Sequence, residues 1–217
     1  TNKDTTNTQS NGQSNVDLML NLSDVKNAVG LNLIESLPNH YLKKKSPLVT
    51  LDVSSIAKGY AVDRVIDIIN THWVTGAYVD IGGDVRVFGS KPNNEVWRIG
   101  IASPAQPSEL AAVLVANNLS VATSGNYLNH VIYNDQQIGH ILDAKHKAPV
   151  SHGMLSVTVI ADSCEHADAL ATGLFAMGHK TSKSWLINNP TVSAMLIYSE
   201  NNNVSVSYLN DFESYVL

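Results

Sequence analysis

The sequence predicts an α+β protein made mainly of antiparallel sheets with two principal helices. Three observations carry that reading. Short β-branched or alternating runs outnumber helical ones. Most are separated by Asn-, Gly- or Pro-containing turns short enough for hairpins. Two long helical patterns each follow a strand pattern and a polar cap, over residues 48–73 and 156–177, and their likeness allows a duplicated core.

Residues 1–15 are Thr, Asn, Gln, Ser and Gly with almost nothing apolar, and read as a flexible tail or linker ahead of one domain at 16–217. Ser23 or Asp24 can cap a short helix that runs through Val29 and ends at Gly30. Strands are expected at 31–36 and 40–45 across the Leu37-Pro38-Asn39 turn, and again at 48–53. Ser54 and Ser55 then offer a cap. Ile56, Tyr60, Ala61, Val65, Ile68 and Ile69 make the apolar stripe of a helix over 56–73. Strands follow at 77–81, 85–88, 97–101, 111–115 and 119–123, and a hairpin pairs 131–133 with 137–142. The run 156–160 reads as a buried strand, and residues 164–177 as the second long helix. Asp162 and Glu165 have the spacing of a capping box at its start. A shorter helix at 182–188 and a hairpin of 192–198 with 204–209 complete the chain.

The 217 residues are 44% hydrophobic and 15% charged, which is the composition of a globular chain. A formal net charge of −5 supplies no basic field for nucleic acid, and the run Lys43-Lys44-Lys45 reads as a solvated hairpin edge. Cys164 is the one cysteine, so neither an intramolecular disulfide nor a thiolate metal cluster can form. That suits the cytosol and equally a periplasmic protein without disulfides. No apolar run approaches the ~18 residues of a membrane helix. The chain opens at Thr1, without Met or signal peptide, and is expected to be a processed or trimmed form.

Five stretches hold polar residues where the core pattern lapses. In the second long helix Asp168 and Thr172 are four apart and share a face. A carboxylate and a hydroxyl near a helix N-terminus suit a hard cation carrying phosphate, or belong to an ordinary capped helix. In DVSSIAKGYAVD at 52–63, Ser54, Ser55 and the following amides form an anion-binding helix start or a plain Ser cap. Lys58 there can add a point charge for phosphate, and Gly59 marks close approach by a ligand or by the sheet. In DIGGD at 80–84 the paired glycines suit a ligand-contacting kink or a β-bulge. ATSGNY at 122–127 is a small nest for oxygens or a turn. His140 in GHILD at 139–143 is a base or a structural histidine. The spacings of a P-loop, a H-E-x-x-H zinc site and a G-x-S-x-G elbow are absent.

Taken in order, DVSSIAKGYAVD, IGGDV at 81–85, ATSGNY, GHILD, SVTVIA at 156–161 and ADALATGLFAMG at 167–178 resemble the motifs of the ApbE family, the FAD:protein FMN transferases. The resemblance implies an ApbE-like, T-fold-like core. It implies a Mg²⁺-dependent enzyme that splits the FAD pyrophosphate, releases AMP and joins FMN by a phosphoester to a Thr or Ser hydroxyl of a target flavoprotein. Some relatives hydrolyse FAD instead. By the same resemblance the metal ligands fall on the Asp168 carboxylate, the Thr172 hydroxyl and the Ala57 carbonyl. FAD contacts fall on Ser55, Lys58, Asp63, Gly83 and Thr123, and His140 is the residue that deprotonates the acceptor hydroxyl, with Asp168 beside it in catalysis. The implied acceptors are flavin subunits of sodium-pumping NADH:quinone reductase or the RNF complex. The implied location is the periplasm, with a lipid anchor in the full-length protein as the only membrane attachment.

Two departures stand out. Ala144-Lys145-His146-Lys147 replaces the family's Pro-x-Thr-Gly turn, and Gly139 replaces the commoner Ser. The long segment that usually precedes the first motif, part of which covers the flavin, is expected to be largely missing.

Overall fold

A computed structural model of the protein describes residues 28–126, 130–133, 136–139, 141–201 and 203–217. The expected tail at 1–15 and most of the short helix before Gly30 lie outside the described residues. The chain divides into two compact units, residues 1–51 with 144–147, and residues 52–143 with 148–217.

In the first unit the described elements are a 3₁₀ turn at Leu31–Leu33 and the antiparallel hairpin of β1 (Ile34–Leu37) with β2 (Tyr41–Lys44). Asn39 and His40 both take positive φ in the turn, an Asn-led geometry. The strand expected at 48–53 does not form. Leu48, Leu51 and Val53 are exposed there, and the Asp52 carboxylate takes the Ser54 N–H and hydroxyl. Those bonds hold the Asp52 carboxyl below its usual range and turn the chain into the next helix instead of into a ladder.

The second unit is a three-layer arrangement around one sheet. Its helices are α1 (Ser54–Asn70), α2 (Cys164–Met177) and α3 (His179–Ile187). The central strands are β3 (Gly76–Ile81), β4 (Asp84–Gly89), β7 (Leu119–Gly125), β12 (Met154–Ala161), β13 (Ser193–Glu200) and β14 (Asn203–Leu209). They form a six-stranded antiparallel sheet in the order β14-β13-β12-β7-β4-β3. Three ribbons accompany it: β5 (Trp97–Ala102) with β6 (Leu110–Ala116), β8 (His130–Tyr133) with β9 (Gln136–Gly139), and β10 (Leu142–Asp143) with β11 (Ala148–Pro149). The strand expected at 137–142 is therefore split between β9 and β10.

Both faces of the sheet are buried, which is why the β-branched run 156–160 reads as a buried strand. Ala122, Val157, Val159, Ala194 and Leu196 pack on one face against Ala167, Ala171, Leu174 and Phe175 of α2 and Leu186 of α3. Val85, Val87, Val121, Ile160, Met195 and Ile197 occupy the other face with Ile99, Ile101 and Leu114 of the β5–β6 ribbon and Phe212. Adjacent residues change face, as the two-residue period of a strand requires. The parity at β7 decides which polar side chains reach α2.

Candidate functional site

Asp168 is buried on α2, and its Oδ2 accepts the Gly59 N–H of α1 at 3.1 Å. That bond exists because α1 and α2 touch at Gly59. A Cβ there would lie 2.3 Å from the Cys164 carbonyl oxygen and 2.8 Å from Glu165 Cα. One turn along α2, the Thr172 hydroxyl meets the Ser124 hydroxyl of β7 at 3.0 Å. Thr123 points the opposite way. Its hydroxyl meets Thr158 at 2.9 Å on the sheet face away from α2, so the structure joins Ser124, and not Thr123, to the Asp168–Thr172 face.

The IGGDV stretch is neither a kink nor a bulge but a two-residue hairpin turn. Ile81 pairs with Asp84, and Gly82 and Gly83 between them have φ of 61° and 89°. Two successive positive φ values are the combination that matches strand twist in a tight hairpin, and glycine adopts them without strain. The Gly83 N–H donates to Asp80 Oδ1 at 2.9 Å, and the space where its side chain would be is open. The turn delivers Asp84 to the start of β4, fully buried. Lys58 donates to Asp84 Oδ2 at 2.6 Å. Sequence reasoning named Lys58 and passed over Asp84. The signal was there, a carboxylate set between Gly-Gly and an apolar strand.

Asp63 sits at the other end of the α1–α2 contact. Its Oδ1 accepts the Cys164 N–H at 3.1 Å and an Arg86 N–H at 2.5 Å, and its Oδ2 accepts the Glu165 N–H at 2.9 Å. The expected capping box is therefore built from other residues. Ser163 is the N-cap, accepting from the His166 N–H at 3.2 Å, and Asp63 supplies the remaining oxygens from a distant helix. Likewise Ser54 does not cap α1; Asp52 accepts its N–H at 2.8 Å. Ser55 and Ala57 lie in the first turn of α1, half-buried and exposed respectively. His140 lies outside the described residues, so the structure places neither its ring nor its backbone. Cys164 is buried against the Val85 carbonyl, and burial pushes its thiol far above the usual range, which makes it inert.

Burial pushes the Asp84 carboxyl up to about 6. The Lys58 ammonium works against that shift, and the neighbouring Asp168 carboxylate adds to it. The native protein thus holds a proton on Asp84 that the unfolded chain has lost between pH 3.8 and about 6. Stability is fully present below that window, falls as pH rises through it, and stays lost above it. In metal-free protein Asp84→Asn is expected to remove that slope and to raise stability at pH 8 by ~1–2 kcal/mol, with no gain at pH 4. Urea unfolding at the two pH values measures this.

The donor set fits a hard cation. Asp168, Thr172 and Ser124 supply oxygen only, and Asp84 Oδ1 is a buried oxygen with no hydrogen-bond partner. Among the described residues no three His, Cys, Asp or Glu side chains converge. A cavity of about 370 Å³ is lined by Arg86, Ser120, Asp162, Ser193 and Asp211, where β7 begins. Ser124 stands near the opposite end of that strand, and neither Asp168 nor Thr172 borders the cavity. The contacts of Lys58, Gly59, Asp84 and Asp168 lie instead where α1, α2 and the β3–β4 turn meet.

In this α+β unit α1, α2 and β4 supply a lysine, two carboxylates and a hydroxyl through the Lys58–Asp84 and Gly59–Asp168 contacts and Thr172 one turn further along α2. The sequence model of the ApbE family matches residues 3–196, and the chain belongs to that family. It is similar to the FAD:protein FMN transferase of Haemophilus influenzae, 34% identical over 168 residues, covering 76% of this chain and 49% of the relative. The FAD:protein FMN transferase of Chlamydia muridarum is 36% identical over 170 residues, 77% of this chain and 51% of its own. Among solved structures, the flavin transferase ApbE of Vibrio cholerae superposes with a TM-score of 0.79 at 27% identity, over 99% of this chain and 65% of that one. The apo form of the Pseudomonas stutzeri flavinyl transferase ApbE gives 0.76 at 28% identity, over 90% and 60%. The chain spans about half the length of the curated relatives it matches.

Proposed function

We propose that this chain transfers FMN from FAD to a Thr or Ser hydroxyl of a target flavoprotein, in a Mg²⁺-dependent reaction that releases AMP. The observation that supports it most is the set of buried and partly buried polar contacts that tie Gly59 of α1 to Asp168 of α2, Lys58 of α1 to Asp84 of β4, and Thr172 of α2 to Ser124 of β7. The curated relatives named as FAD:protein FMN transferases lend the substrate and the direction of transfer.

In this reading Asp168, Thr172 and the Ala57 carbonyl hold Mg²⁺. The ion, when bound, neutralises charge on the pyrophosphate. The chain's own groups do the rest. Ser55, in the first turn of α1, bears on the second phosphate; the N–H groups of Ser54, Ile56 and Ala57 beside it are already taken by Asp52 and the Val53 carbonyl. Lys58 lies along the β3–β4 turn, its Cδ 3.4 Å from where a Gly82 Cβ would be, and brings positive charge to the same edge. Gly83 leaves open space for a ligand to approach the backbone. His140 takes the proton of the acceptor hydroxyl, whose oxygen attacks the FMN phosphorus as the bond to the AMP phosphate breaks. Asp63 and Thr123 bear on FAD through the elements they hold in place. Acceptors among the flavin subunits of sodium-pumping NADH:quinone reductase or RNF complexes, a periplasmic site of action and a lipid anchor rest on family resemblance alone.

Mixing FAD, Mg²⁺ and an acceptor protein is expected to yield AMP and flavin-labelled acceptor. Asp168→Ala should lower AMP release by about 100-fold or more, and release at the wild-type level overturns the role of Asp168. Free FMN without an acceptor identifies water as the acceptor. Saturable FAD binding with no AMP identifies a binding module.

A further inference from the structure

The geometry points to Asp84 as a second carboxylate of the cation site, contributed by β4 opposite Asp168 of α2. The inference rests on the proposed cation at Asp168 and extends it by one ligand. Asp84 has no exposed surface, so water does not compensate its charge. One of its oxygens, Oδ2, is taken by Lys58 at 2.6 Å. The other, Oδ1, is buried and accepts no hydrogen bond. The Asp168 carboxylate is a neighbour of Asp84, and Gly59, whose N–H holds Asp168, is the residue after Lys58, which holds Asp84. Asp168 is itself oriented through Oδ2 by the Gly59 N–H.

Two facing carboxylates need something positive between them, and a single lysine leaves one negative charge uncompensated. A divalent ion satisfies both at neutral pH and leaves one positive charge to meet an incoming pyrophosphate. Lys58 then has a second duty. By holding Oδ2 it leaves Oδ1 as the oxygen available to the ion. The short Gly-Gly hairpin explains why β4 can deliver this group. A longer turn would let the first residue of the strand drift, whereas the Ile81–Asp84 pair fixes it.

The test is binding of Mn²⁺ alone to the whole chain, followed by electron paramagnetic resonance, with circular dichroism to verify folding. The wild-type chain is expected to bind, and Asp84→Asn and Asp168→Asn each to weaken binding by about tenfold or more. Asp67→Asn, on the exposed Arg64–Asp67 pair, should leave it unchanged. Because Asp84→Asn also deprives Lys58 of its partner, the substitution is repeated in a Lys58→Met background. There Asp84→Asn must still weaken Mn²⁺, since no ammonium is left to be orphaned. Binding lost in Asp168→Asn but kept in Asp84→Asn, in either background, overturns the assignment of Asp84 and leaves the proposed function standing. No Mn²⁺ bound by the wild-type chain overturns the cation site as a whole.

Discussion

Gly59→Ala is expected to destabilise the protein by ~2–4 kcal/mol, although alanine is the better helix former by about 1 kcal/mol. The added methyl would sit 2.3 Å from the Cys164 carbonyl oxygen and 2.6 Å from its carbon. Those are backbone atoms at the start of α2 and cannot rotate away. Relief requires moving α1 from α2, and that movement breaks the Gly59 N–H bond to Asp168. Two measurements follow the two consequences. Urea denaturation reads the stability loss, and Mn²⁺ affinity of the folded fraction reads the misplacement of Asp168. A gain in stability would show that the helix contact yields more easily than its geometry indicates.

Asp63→Ala is expected to cost ~3–5 kcal/mol, the range for removing one partner of a buried ion pair. The carboxylate answers two backbone N–H groups at the start of α2 and the Arg86 guanidinium, and all three lose their acceptor together. Arg86 is partly buried and lines the cavity at the start of β7, so water replaces the lost oxygen only in part. Pairing the change with Arg86→Met removes the orphaned charge and should recover part of the loss, about 1–2 kcal/mol, while the two N–H groups stay unsatisfied. A double-mutant cycle by thermal or chemical unfolding checks this. Near-additive losses would mean that Arg86 finds another partner. Asp63 thus positions the helix that carries Asp168, which is compatible with a role toward FAD but does not require one.

Much of the fold was legible because periodicity is a local property. The stripe from Ile56 to Ile69 and the alanine-rich run around Asp168 declared their helices, and Ser156–Ile160 declared a strand buried on both faces. Family membership was legible too, since motif order survives without any knowledge of contacts. Residues 48–53 misled because their apolar residues need no ladder partner: Val49 is buried while Leu48, Leu51 and Val53 are exposed, and the Asp52 side chain claims the Ser54 N–H.

The Asp168–Thr172 pair follows from sequence alone, because residues four apart on a helix share a face whatever lies around them. What faces that pair does not. Ser124 meets Thr172 and Thr123 does not because the register of β7 against β12 sets the parity, and a shift by one residue would exchange them. Asp84 reaches Asp168 across 84 positions of chain, and Asp63 reaches the start of α2 across about a hundred, through packing that no local pattern encodes. The sequence determined which side chains were available for oxygen chemistry. The tertiary structure decided which of them are buried together, because burial makes an unpaired carboxylate costly and so makes its missing partner informative.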